Sequence, residues 1–152
     1  MQEKREWKQF SPDGDLNLDL PDNVCQGYDA FIAASAGVMY TIKSLERPAL
    51  AVSPEIIDRV INISARTFLS FRSRIWVGAG LANVFDVKLL RKDYVNGEPR
   101  KTYGYSLVSC RERKENVLVV QASKSHYYTI DITGASDTDP RVQRFIKSIS
   151  FK

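Results

Sequence analysis

The feature that most constrains this chain is a series of alternating apolar segments, punctuated by tight-turn signals, between residues 84 and 133. Phe85, Val87 and Leu89 alternate with polar residues, which is the period of a strand with one buried face. Asn96-Gly97 follows, the preferred two-residue hairpin dipeptide because both central positions need positive φ. Tyr103, Tyr105 and Leu107 then alternate on the return arm. A second return at Lys114-Glu-Asn116 leads into the apolar run Val117–Val120, and a third at Ser123-Lys-Ser125 leads into Tyr128, Ile130 and Ile132. The pattern predicts an antiparallel meander with one wet face. Leu81, Val84, Phe85 and Leu89 also suit helical spacing, and the hairpin signal decides for a strand over 84–94.

Upstream, Pro12-Asp-Gly14 is a turn signature, and Leu16, Leu18 and Leu20 alternate with Asp15, Asn17 and Asp19 up to Pro21, predicting a half-buried strand. Residues 22–27 read as loop. Residues 28–35 and 38–45 flank Ala36-Gly37 as a second hairpin. Ser53-Pro54-Glu55 is a helix start, with a side-chain cap and a proline at the first position, where no amide is needed. Ile57, Val60, Ile61, Ser64 and Phe68 carry its buried face to about residue 70. Asp139-Pro140 starts a second helix over about 139–149, with Val142, Phe145, Ile146 and Ile149 as its stripe. The expected fold is α+β: an antiparallel meander of about six strands with two main helices, about 53–70 and 139–149, laid against one side. Residues 1–12 read as a leader anchored by Trp7 or Phe10, and residues 13–152 as a single domain. A chain of 152 residues suits one core of this kind.

No apolar run is long enough for a membrane span; the longest, residues 30–40, is broken by Ser35 and Gly37. Residues 1–30 carry three basic and seven acidic side chains, and residues 31–152 carry 19 and 11. The basic excess suits either an acidic partner or a solvated surface. The charged start Met1-Gln-Glu-Lys-Arg-Glu has no apolar stretch, consistent with a cytosolic protein or with a start after a removed leader. Cys25 and Cys110 have no metal-site spacing. They read as a disulfide closing a long loop or as two small buried apolar residues.

Recognisable chemistry is sparse. Asp13-Gly-Asp15-Leu-Asn17-Leu-Asp19 has oxygens at alternate positions, as a calcium loop does, but Leu18 and Val24 stand where such a loop needs glycine and a bidentate glutamate. Gly78-Ala-Gly80 has two of three glycines of a dinucleotide fingerprint, with Asn83 in the third place and no βαβ rhythm around it; a bulge or bend in a strand explains it better. His126 is the only histidine, and nothing in the sequence pairs it with Cys25 or Cys110. Asn62-Ile-Ser64 matches a glycosylation tripeptide but falls within the first helix. These patterns point away from an enzyme and imply no cofactor or metal. The one candidate interaction surface is the hairpin tip: Arg91, Lys92 and Tyr94 on one arm, Arg100, Lys101 and Tyr103 on the other. Such a patch can track phosphates and stack bases, and the same cations also protect an exposed strand from edge pairing.

Two segments carry a resemblance. The opening, Phe10-Ser-Pro-Asp-Gly-Asp-Leu-Asn-Leu-Asp-Leu-Pro21, resembles the F-x-x-x-x-G-F-x-V-x-x-P start of small domains in bacterial exported proteins and lipoproteins, with Leu16 where that group usually has an aromatic. The close, Tyr128-Thr-Ile-Asp-Ile-Thr-Gly134 with Arg144-Phe-Ile-Lys-Ser-Ile-Ser-Phe151, resembles their Y-x-L-x-V and F-x-x-S-F ending. These domains are similar to the PsbP family of photosystem accessory proteins and to the Ran-binding Mog family. The likeness spans about residues 7–151. It implies an antiparallel sheet packed between helices, no shared catalytic residues, and an accessory or protein-interaction role, often outside the cytoplasm. Binding of nucleic acid through the hairpin and binding of a small ligand under the sheet are the alternatives.

Overall fold

The computed structural model describes residues 7–13, 15–21, 23–27, 29–47, 53–72, 76–77, 80–81, 83–110 and 112–151. In chain order the elements are β1 (Trp7–Phe10), β2 (Leu16–Pro21), β3 (Cys25–Gln26), β4 (Phe31–Ser35), β5 (Val38–Glu46), α1 (Pro54–Arg72), β6 (Trp76–Val77), β7 (Gly80–Leu81), β8 (Asn83–Val95), β9 (Glu98–Val108), β10 (Arg113–Ala122), β11 (His126–Thr133), α2 (Pro140–Ser148) and β12 (Ser150–Phe151). Seven strands form the main sheet in the order β3-β4-β5-β11-β10-β9-β8, and every pairing in it is antiparallel. A small sheet, β1-β2-β12, lies beside it, and β6 with β7 makes a short ribbon. The fold is α+β with two helices and antiparallel sheets, as the sequence pattern predicts.

The meander forms as expected, with refinements. Asn96 and Gly97 both have positive φ, 50° and 81°, so the β8–β9 hairpin turns where the dipeptide says it should. The segment with ambiguous periodicity, β8, is a strand. It bulges between Phe85 and Lys88, where Asp86 has a φ of 54°, and again between Leu89 and Arg91. The return into β10 comes earlier than the 114–116 turn read from sequence. Arg113 already pairs with Val108, and Ser109 N–H donates to Glu112 O at 2.9 Å. Cys25–Gln26, expected as loop, adds a short edge strand to β4.

One expectation is corrected: the two helices lie on opposite faces of the main sheet, not on one side. The cause is β10, in which neither face is wet. Leu118 and Val120 are buried with Ile57, Ile61 and Ala65 of α1, while Val117 and Val119 are buried with Val142 and Phe145 of α2, with Ile149 just after it, and with Leu16, Leu18 and Leu20 of β2. A continuous apolar run needs a cover on each side. The sheet therefore sits between α1 and a second layer made of β2 and α2.

That second layer ties the chain ends together. Phe151 pairs with Leu16 and Ser150 with Asn17, so the last described residues close onto the first strands. Residues 7–10, read as part of a loose leader, are a strand paired with β2. Both proposed anchors are used: the Trp7 ring meets Tyr40 edge-on at 5.6 Å, and Phe10 meets Phe31 at 5.1 Å. The Asp139 side chain accepts from Arg141 N–H at 2.9 Å, the cap expected at the start of α2. Ser53 supplies the same service to α1 more weakly, accepting from Ile56 N–H at 3.4 Å.

Candidate functional site

The six hairpin residues do not form one patch. In the β8–β9 register Lys92 sits opposite Lys101, Tyr94 opposite Pro99 and Tyr103 opposite Leu89, on the α1 face; Arg91 sits opposite Thr102, and Arg100 opposite Asp93, on the α2 face. A strand's period of two separates neighbours in sequence onto opposite surfaces. Two of the cations are also buried and engaged. Arg100, 7% exposed, grips Asp93 through Nε at 2.9 Å and Nη2 at 2.6 Å, and donates from Nη1 to Ile146 O at 3.3 Å. Lys101, also 7% exposed, donates from Nζ to Asn62 Oδ1 at 2.7 Å and pairs with Asp58 at 2.9 Å. Lys92 approaches the same Asp58 carboxylate at 3.7 Å. Hydrogen bonding from Lys101 and the two positive charges, against a smaller opposing effect of burial, hold Asp58 below the usual carboxylate range. These side chains fasten β9 to both helices. Asn62, the glycosylation candidate, is part of the same link.

Cys25 and Cys110 are free and exposed. Cys25 is on the edge strand β3, and Cys110 follows β9 in the turn before β10. The intervening strands put them on the order of 20 Å apart at about 4.8 Å per strand, too far for the <7 Å Cα separation that a disulfide needs. His126 opens β11, at the opposite end of β10 from Cys110, so no cysteine–histidine pair forms.

His126 does belong to a polar cluster that sequence reasoning missed. Its Nδ1 lies 3.2 Å from Asp13 Oδ2 and 2.7 Å from Ser125 Oγ, and that hydroxyl is also 2.7 Å from Asp15 Oδ2. Tyr128 O–H donates to Asp13, and burial followed by this carboxylate pushes its phenol well above the ordinary range. Burial raises the Asp15 pKa, but hydrogen bonds from Ser125 and Ser123 with the charges of His126 and Lys124 outweigh it and leave the carboxyl low. Serine, histidine and aspartate meet here, but Ser125 and Asp13 share one ring nitrogen. A nucleophilic relay needs them on opposite nitrogens, so that one orients the ring while the other loses its proton. The cluster instead clamps the turn before β2 to the β10–β11 turn. It also explains the alternating acids. Asp13 Oδ1 accepts from Asp15 N–H at 3.0 Å as a side-chain turn, and Leu16, Leu18 and Leu20 are buried beneath the outer polar residues of β2.

The dinucleotide fingerprint has no supporting context. Gly80 lies in β7, hairpinned against β6, and no parallel strand pair occurs among the described residues. Gly78 lies outside them.

The exposed large apolar side chains fall mainly into two groups: Phe85, Val87, Leu89, Leu90 and Tyr94 on the edge strand β8, and Leu45, Ile56, Ile63 and Phe71 on α1 and beside it. Leu45, Ile63 and Phe71 are 63%, 60% and 65% exposed, and with Phe68 and Tyr127 they line a cleft of about 530 Å³ between α1 and β5. Ile63, Thr67 and Phe71 recur at i, i+4 and i+8, so they run along one side of the helix. Lys43 and Asp29, paired at 3.4 Å, close one end. Sequence periodicity had marked Ile57 and Ile61 as core but gave no sign that the helix would bear a second, uncovered apolar stripe. No described helix is long and apolar enough to cross a membrane. No protein-family model matches the chain, and no curated protein matches it.

Proposed function

We propose that this chain is a non-enzymatic accessory domain that binds a partner protein through the cleft between α1 and β5. The observation that carries the reading is the exposure of Leu45, Ile63 and Phe71 side by side. Single exposed apolar residues are ordinary, but a contiguous set lining a concave surface is the kind that a partner covers. The trough runs alongside a helix, which suits an amphipathic helix of the partner, laying its own i, i+3, i+4 anchors against Phe68 and Tyr127. The resemblance to the PsbP-like and Mog-like accessory domains of exported bacterial proteins supports the same reading and favours a place at the cell envelope. An antiparallel sheet packed between helices agrees with that resemblance.

The test is to place a photo-crosslinking residue at Thr67, on the cleft, and to compare the wild-type surface with an Ile63→Ser/Phe71→Ser variant. Crosslinking to one heterologous protein, identified by mass spectrometry and abolished by the double substitution, is the expected result. A crosslink to a second copy of the chain, with a dimer in sedimentation velocity, would replace the reading with self-association. No specific crosslink in the native host would end it.

A further inference from the structure

We infer that the cavity between β8 and α2, on the face opposite the apolar cleft, is a binding site for a small oxyanion bearing a hydrogen-bond donor. Its volume is about 210 Å³, and it is lined by Leu90, Arg91, Thr102, Asp137, Ile146 and Lys147, with Gln143 at the rim. Arg91 and Lys147 are exposed, and neither has a carboxylate partner among the described residues. The carboxylate nearest to Arg91 in sequence, Asp93, is held at both oxygens by Arg100. That same guanidinium satisfies Ile146 O, in the last turn of α2. Asp93 is therefore already matched, and two cations face one cavity whose lining holds a single carboxylate, Asp137.

Thr102 is the second observation. It is 4% exposed and lines the cavity, and its hydroxyl has no hydrogen-bond partner among the described residues. That hydroxyl opens onto the cavity rather than being sealed from it, and an anion seated between Arg91 and Lys147 would accept from it. Gln143 offers an amide donor on the open side. Asp137 sets the polarity of the ligand. The anionic group belongs at the Arg91–Lys147 end, and whatever reaches Asp137 must donate a hydrogen bond rather than carry another negative charge. Leu90 and Ile146 close the remaining walls. This fits a phosphate, whose oxygens accept and whose P–OH donates, or a small hydroxy acid, which divides the same roles between carboxylate and hydroxyl.

The experiment is a two-dimensional NMR titration of the intact chain with inorganic phosphate, with glycolate and with acetate at constant ionic strength. Saturable shifts centred on the Thr102 and Lys147 amides are expected with phosphate or glycolate, and weaker ones with acetate, which lacks the donor. Whichever of phosphate and glycolate saturates first identifies the ligand group. Arg91→Gln and Lys147→Gln, both on the surface, should each weaken binding at least tenfold, and Thr102→Val, which keeps the volume, should also weaken it. Lys124→Gln, at the far turn, should leave it unchanged. Linear, non-saturating shifts with all three anions would overturn the site, as would saturation that persists in the Arg91→Gln/Lys147→Gln variant.

Discussion

Both Asp93 oxygens are held by the Arg100 guanidinium, at 2.9 Å from Nε and 2.6 Å from Nη2, and the third contact of that guanidinium, at 3.3 Å, is a backbone carbonyl in the last turn of α2. One buried side chain thus joins the edge hairpin to the C-terminal helix. Lys101, next in sequence, does the same for the other face through Asp58 and Asn62 of α1. The hairpin that looks like a cationic binding tip is thereby a two-sided fastener.

Removing one side of that fastener should destabilise the fold. Arg100→Ala leaves the Asp93 carboxylate without its guanidinium in a partly dry site and the Ile146 carbonyl with only the Ile149 N–H. A loss of about 3 kcal/mol is expected in urea denaturation. Arg100→Lys should recover only part of it, because a point ammonium cannot reproduce the two-pronged contact.

The same ion pairs predict how stability responds to acid. Hydrogen bonding from Arg100, then its charge and that of Arg91, lower Asp93 against the opposing effect of burial; Asp15, Asp58 and Asp139 are lowered as well. A carboxyl whose folded pKa lies below its unfolded value of about 3.9 contributes stability that is fully present above that value and is lost as pH falls through the folded pKa. Unfolding free energy should therefore show no loss from these four groups between neutrality and about pH 5, and should fall steeply below about pH 4. Asp93→Asn should flatten that acid limb. An unchanged limb would mean that Asp93 has no such role.

How far the sequence reveals this molecule depends on whether the signal is local. Asn96-Gly97 and Asp139-Pro140 act through their own backbone, and both elements appear where those residues place them. The side of the sheet that each helix covers is not local. Val117–Val120 is apolar on both faces, which requires two covers but does not say which helix supplies which. The candidate patch is divided between two faces for a similar reason. Arg91 and Lys92, or Arg100 and Lys101, are neighbours in the chain and point to opposite faces in a strand. The cavity beside Thr102 combines β8, β9 and α2, and the His126 cluster joins turns 110 residues apart, such as Asp15 to Ser125. No motif spacing could have announced either.

Gly134 is expected to be intolerant of any side chain. Its φ is 96°, and a Cβ there would lie 2.5 Å from the Gly37 carbonyl oxygen in the β4–β5 turn. Strain and a backbone clash act together, so Gly134→Ala should cost about 2–4 kcal/mol. Gly37 also has positive φ, 82°, but open space around it, and Gly37→Ala should cost about 1 kcal/mol. Thermal unfolding of the two variants side by side separates the steric part from the conformational part.

Tyr40 predicts an effect of opposite sign. Its ring is fully buried between Trp7 and Phe145, and its hydroxyl has no hydrogen-bond partner among the described residues. Burial pushes the phenol up to about 12. Tyr40→Phe keeps both ring contacts and removes a desolvated polar group. Denaturation should show stability unchanged or raised by about 1 kcal/mol. A clear loss would show that the hydroxyl is satisfied in solution.

The two stripes of α1 give the sharpest separation of stability from binding. Ile61 is fully buried against Leu118 and Val120, whereas Ile63, two residues on, points out beside Phe71. Ile61→Ala removes packed methylenes and leaves a cavity, for a cost of about 2–4 kcal/mol. Ile63→Ala removes the same atoms from water, and its effect on unfolding should stay within about 0.5 kcal/mol. If the exposed stripe exists for a partner, the order reverses in a binding assay: Ile63→Ala should weaken the complex tenfold or more at an unchanged melting temperature. A destabilisation by Ile63→Ala comparable to that of Ile61→Ala would mean that the cleft is closed within the domain, leaving no surface for a partner to occupy.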